Sequence, residues 1–95
     1  MANQVGYNST YISTATTTTV FTGPGILHEL SLTETAAGTI TVYDNTAASG
    51  TIKAVLKASI VEGDYLHDID FTIGCTIVTA GASKLTATWV TAGRT

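Results

Sequence analysis

The sequence predicts an all-β fold: a single β-sandwich or jelly-roll-like barrel of about seven or eight short strands, with an extended N-terminal arm. Three observations predict it. Thr, Val and Ile dominate, Thr alone at 20 of 95 positions, and branching at Cβ suits a pleated surface. Apolar residues recur with period two, which keeps them on one side of a strand and would scatter them around a helix. Breaks containing Gly fall between the alternating runs, where strands must turn.

Taken in order, "MANQVGYNSTYIS" is polar, with only Val5, Tyr7, Tyr11 and Ile12 as larger apolar groups. Residues 1–13 are expected as an arm, and residues 14–95 as the sandwich. The arm either packs on a neighbouring subunit through Val5, Tyr7, Tyr11 and Ile12, or forms the edge strand of its own domain. A Thr-rich strand over Thr16 to Thr22 ends at Gly23-Pro24-Gly25. In "ILHELSL" the alternation groups Ile26, His28, Leu30 and Leu32 against Leu27, Glu29 and Ser31. Ala36-Ala37-Gly38 reads as a short hairpin loop into "TITVY", where Ile40 and Val42 oppose Thr39, Thr41 and Tyr43. In "TIKAVLKA", Ile52, Ala54 and Leu56 oppose Lys53, Val55 and Lys57. A helix is the alternative there, because Ile52, Val55, Leu56, Ser59 and Ile60 also recur at helical spacing. "YLHDIDF" reads as one strand with Tyr65, His67, Ile69 and Phe71 on one face. In "KLTATWV", Leu85, Ala87 and Trp89 share a face.

Composition narrows the function classes. Charged residues are only 12% of the chain and the net charge is −3, with Lys53, Lys57, Lys84 and Arg94 as the cations. Four cations are too few to neutralise several phosphates, so no nucleic-acid partner is expected. No apolar run reaches the length of a membrane span. The N-terminus lacks a basic start and an apolar core, so no signal peptide is expected and synthesis is expected in the cytoplasm. Cys75 is the only cysteine, so no intrachain disulfide forms. A surface rich in Thr and poor in charge is weakly protected against pressing on another surface.

Candidate chemistry is sparse. His28 and His67 meet only if their strands are neighbours, and a metal would need further ligands. Glu62, Asp64, Asp68 and Asp70 form the densest acidic group, but alternation puts Asp68 and Asp70 on one strand face, as on a solvated surface. Cys75, within the apolar "IGCTIV", reads as a buried small residue. Tyr43, Tyr65 and Trp89 are the aromatic groups that a sugar-stacking platform would use, although Trp89 shares a face with Leu85 and reads as core. No metal, cofactor or catalytic residue is assigned, and the chain is expected not to be an enzyme. "VYDNTAASGT" reads as a bend, with Asp44 and Asn45 bonding their side chains to nearby backbone and Gly50 freeing the chain before Ile52.

In "GILHELSLTETAAGTITVYDNTAASGT" and "DYLHDIDFTIGCTIVTAGASKLTATWV", the runs Gly25 to His28, Gly38 to Thr46, Ala48 to Thr51 and Asp70 to Thr79 follow one another in an unusual order. In this the chain resembles small β-rich structural proteins of tailed bacteriophage virions, most like capsid decoration (cement) proteins. The resemblance spans roughly residues 25–90, and Cys75 stands where a larger apolar residue is expected. It implies a non-enzymatic virion protein on the capsid surface, a homotrimer that binds between major capsid protein subunits and stabilises the head. The alternatives are a tail or head-fibre component, and a carbohydrate-binding module on a phage surface.

Overall fold

Nine antiparallel strands form two sheets in a computed structural model that describes residues 7–91. They are β1 (Asn8–Ile12), β2 (Thr17–Thr22), β3 (Gly25–Glu34), β4 (Ile40–Asp44), β5 (Thr51–Leu56), β6 (Gly63–Tyr65), β7 (Ile69–Phe71), β8 (Gly74–Thr79) and β9 (Lys84–Thr91). The first sheet runs β1-β9-β3-β6, with β7 also paired to β3; the second runs β2-β8-β4-β5. If β6 and β7 are counted as one interrupted strand, this is the eight-strand wrap of a jelly roll. Fold class and sandwich architecture are therefore as the sequence predicts. The stretch from Thr51 is strand β5, not helix.

The core lies between the sheets. Leu27, Leu30, Leu85, Ala87, Ile40, Val42 and Ile77 are fully buried there. Phe21 meets Phe71 edge-on at 5.6 Å between ring centroids and stacks against Trp89 at 5.4 Å. Gly25 is required beneath them, since a Cβ there would lie 2.6 Å from the Phe21 ring.

Bulges account for most departures from simple alternation. In β3, Leu27 pairs with Trp89 but Glu29 with Thr88, so His28 is an extra residue. An extra residue reverses the inside–outside phase of everything beyond it. Leu27 is therefore buried together with Leu30 and Leu32, while Ile26 and His28 leave the face that alternation groups them on. Lys53 is a second extra residue, between Ile52, paired with Tyr43, and Ala54, paired with Val42. Ile52 thus turns outward with Val55 and away from Ala54 and Leu56.

Two further expectations change, and an alternative left open is decided. Ala36-Ala37-Gly38 is no hairpin: β3 and β4 lie in different sheets, and this loop carries the chain across. Gly38 packs so closely on the Ala80-Gly81 backbone that a Cβ would collide with the Gly81 amide. "YLHDIDF" is two short strands, because Leu66 (φ 60°) and Asp68 (φ 53°) take left-handed conformations and leave His67 exposed. Finally, Asn8–Ile12 pairs with β9 of its own chain over all five residues, so this part of the arm is an edge strand of the sandwich.

The bulge at His28 makes a prediction that separates neighbouring residues. Leu27→Ala should lower unfolding free energy by about 3–5 kcal/mol. Ile26→Ala, two atoms' width away along the chain but outward, should cost less than about 1 kcal/mol. Urea denaturation of both variants measures the difference; equal costs would contradict the bulge.

Candidate functional site

Four buried polar side chains, Asp44, Thr76, Thr79 and Ser83, stand out against the apolar core. Asp44 ends β4 pointing inward, next in phase to Ile40 and Val42. Its Oδ1 accepts hydrogen bonds from the amides of Ile73 (2.9 Å), Thr72 (3.1 Å) and Gly74 (3.4 Å), and Oδ2 accepts from Thr72 at 3.3 Å. These amides belong to the β7–β8 turn, so the partners are not the nearby backbone that sequence reading expects. Burial by itself would push the carboxyl up, but the amides of Ile73, Thr72 and Gly74 and the charge of Lys53 outweigh it and hold the carboxyl below its ordinary value.

Asn45 is the local turn-former. Its Nδ2 donates to the Ser49 carbonyl at 2.8 Å and its Oδ1 accepts from the Thr46 amide at 2.8 Å. Gly50, at φ +91°, then returns the chain to β5, a conformation that other residues reach only with strain.

The second polar group lies at the β3 bulge. His28 Nδ1 is 2.8 Å from Asp68 Oδ1, and the Asp68 amide donates to the His28 carbonyl at 3.0 Å. The Tyr7 ring stacks on the imidazole, 4.1 Å between centroids and 6° from parallel. This His–carboxylate pair spans 40 residues of chain, so it is invisible to local alternation. Among the described residues no hydroxyl or thiol bonds the other ring nitrogen, and Tyr7 presents its face rather than its oxygen. The cluster fastens the β6–β7 break and the residue before β1 to the bulge. His67 lies outside it. Cys75 is fully buried, and burial, with the nearby Asp44 charge, pushes its thiol up to about 12; a protonated, enclosed thiol is a poor nucleophile. Among the described residues no three His, Cys, Asp or Glu side chains are grouped to hold a metal.

Two outer faces complete the surface, and they differ in charge. Six of the seven acidic residues, Glu29, Glu34, Glu62, Asp64, Asp68 and Asp70, belong to the first sheet or the loops beside it. The outward strand positions of the second sheet are Thr17, Thr19 and Thr22 on β2, Val78 and the loop-covered Thr76 on β8, Thr41 and Tyr43 on β4, and Ile52 and Val55 on β5. None is charged. Ile52 is 52% exposed and Val55 55%. Lys53, within β5, lies 5.8 Å over the Phe71 ring instead, and the exposed Lys57 follows β5 directly, at the rim of this face.

Sequence reading did not find this face, because the bulge at Lys53 is what turns Ile52 outward beside Val55. Of the residues singled out for an interface, Val5 lies outside the described residues. Tyr7 and Tyr11 are exposed, whereas Ile12 is buried in its own core and is corrected to a packing residue. Tyr43, Tyr65 and Trp89 do not come together: Tyr43 is on the second sheet's outer face, Tyr65 hydrogen-bonds the Val61 carbonyl, and Trp89 packs on Phe21 and donates to Thr10. Compared with family models, curated proteins and solved structures, the chain matches none.

The Asp44 grip fixes how stability depends on pH. Because the folded carboxyl is more acidic than the unfolded one, its stabilisation is complete above the unfolded pKa, near 3.9. It is lost as the pH falls through the lower folded value. Asp44→Asn should cost about 2 kcal/mol at neutral pH, the weight of charge-assisted hydrogen bonds replaced by weaker ones. Urea denaturation of both proteins should show that gap narrowing below about pH 4; a gap independent of pH would mean the carboxylate charge contributes nothing.

Proposed function

We propose that the protein is a non-enzymatic capsid decoration protein of a tailed phage, binding between major capsid protein subunits on the head surface. The observation that carries the reading is the charge segregation of the two outer faces. A protein that cements a shell needs one surface that sheds water and one that keeps it. Interface centres are depleted in charge and enriched in aromatic residues, and the second sheet offers Tyr43, Ile52, Val55 and Val78 among threonines. The acidic first sheet is suited to face solvent. The order of motifs between residues 25 and 90 adds support from resemblance. Many copies on one shell act multivalently, so each contact can be modest. The homotrimer belongs to this reading as an implication of the resemblance, assembled on the shell rather than in solution. A sugar-stacking module is not favoured, since the three aromatic groups it would use are separated.

The test uses purified heads of the phage that carries the gene. The protein should co-sediment with them, and heads lacking it should rupture at a lower temperature. Thr41→Glu and Val55→Glu place an unpaired charge in the centre of the uncharged face. Each should weaken capture about a hundredfold or more, the effect of burying about 3 kcal/mol of unpaired charge. Glu29→Gln, on the opposite face, should leave capture unchanged. Equal losses from both faces, or no co-sedimentation, would overturn the reading.

A further inference from the structure

Among the described residues, four edges bound the two sheets: β1 and the β6/β7 pair in the first, β2 and β5 in the second. An unpaired edge is a template for another strand, and proteins blunt it with bulges, charges or breaks. Three edges here are blunted. β2 carries a bulge at Val20. β5 carries a bulge at Lys53, which is also a charge. The β6/β7 edge is interrupted by left-handed Leu66 and Asp68 and bears Asp64 and Asp70. β1 has none of these: its register with β9 is unbroken over all five residues, and it contains no charge and no proline.

From this we infer that β1 is a docking edge whose occupant is β1 of a second copy of this chain, paired antiparallel about a twofold axis through Thr10. Pairing of the whole strand sets Thr10 against Thr10 of the partner subunit, Ser9 against Tyr11 of the partner subunit, and Asn8 against Ile12 of the partner subunit. Each outward position meets another outward position, so the contact is self-complementary, as a twofold requires.

Charge selects a second copy as occupant. No Asp, Glu, Lys or Arg occurs among residues 1–28, which supply both β1 and β2. The four residues between these strands reach at most about 14 Å, so both edges lie on one side of the sandwich. Two copies of net charge −3 can approach on that side. The charge beside β1, Lys84 at the start of β9, is paired with Glu34 at 2.9 Å, and Glu29 on β3 would lie five strand spacings, about 24 Å, from its symmetry mate, beyond the screening length of about 8 Å at physiological salt.

Size sets the strength. Five residues extend about 17 Å, and two sheet layers, each about 10 Å thick with its side chains, give a side wall of roughly 300–400 Å² per copy. A standard interface buries about 800 Å² per partner. The contact is therefore weak and reversible, in the high-micromolar range, and becomes populated where copies are crowded. It is independent of attachment to a head, and it joins copies in twos where the resemblance implies threes.

Sedimentation equilibrium of the full chain, from micromolar to millimolar concentration, tests it. A monomer–dimer equilibrium is expected. Ser9→Lys combined with Tyr11→Lys should weaken it at least tenfold, and Ser9→Lys combined with Tyr11→Glu should restore it, with circular dichroism unchanged in both. Register is read separately: a mixture of Ser9→Cys and Tyr11→Cys chains should form a mixed disulfide on mild oxidation, and neither variant alone should. A monomer at every concentration, a trimer, or a dimer indifferent to the double lysine variant would overturn the inference. Head capture that survives loss of the dimer would leave the decoration reading standing.

Discussion

The chain must cross between its two sheets six times, and each crossing exposes backbone groups that no strand ladder satisfies. That constraint explains where the few buried polar side chains sit. Asp44, from the second sheet, collects the amides of Thr72, Ile73 and Gly74 as the chain passes from β7 to β8. Thr79 does the same for the passage from β1 to β2: its hydroxyl donates to the Thr14 carbonyl at 2.6 Å and accepts from the Thr16 amide at 3.0 Å. Ser83 lies at the β8–β9 crossing and accepts from the Ala36 amide at the β3–β4 crossing, tying the two together. Thr76 donates to the Asn45 carbonyl and closes the loop after β4 over the sheet. Among the described residues no buried side-chain nitrogen or oxygen lacks a partner. A domain of this size has a small core and no disulfide, so each unmet group would remove a sizeable share of its stability.

Spending three of its four buried polar groups on crossings has a consequence for function. The inward carboxylate, hydroxyls and thiol are committed to backbone or packing. The other six carboxylates are spread along the outer first sheet or the loops beside it, where Ser31 donates to Asp64 and Lys84 pairs with Glu34 at 2.9 Å. In the Tyr7–His28–Asp68 stack the contacts hold backbone and ring in place.

Much of the fold is legible in the sequence because period two survives in most strands. Ile40 and Val42, or Leu85 and Ala87, sit where alternation puts them. What is not legible is where an extra residue is inserted. Nothing in "ILHELSL" marks His28 as the bulge; the bulge follows from matching three buried leucines to β9. The same holds for Lys53, and with it the exposure of Ile52. Turn chemistry also fails to distinguish a hairpin from a crossing: Ala36-Ala37-Gly38 and Asp44 to Gly50 both look like turns, but only the second joins paired strands. Asp44 reads correctly as a carboxylate for amides. Its partners lie 28 to 30 residues on, a distance no local pattern reports.

The edges finally explain why so little charge suffices. Sandwich proteins usually guard their edges with lysines and other charged residues, which also keep copies apart. Here bulges and a broken strand guard three edges, so protection comes from backbone geometry more than from side chains. Such protection blocks strand pairing but leaves faces free to pack flat, as the outer face of the second sheet requires. Two of the cations are accordingly held where they do not intrude, Lys53 over the Phe71 ring and Lys84 on Glu34, while Lys57 is exposed just past the end of β5. An uncharged face with guarded edges can press against another protein without its edges recruiting stray strands, and β1, regular and uncharged, is the one departure from that pattern among the described residues.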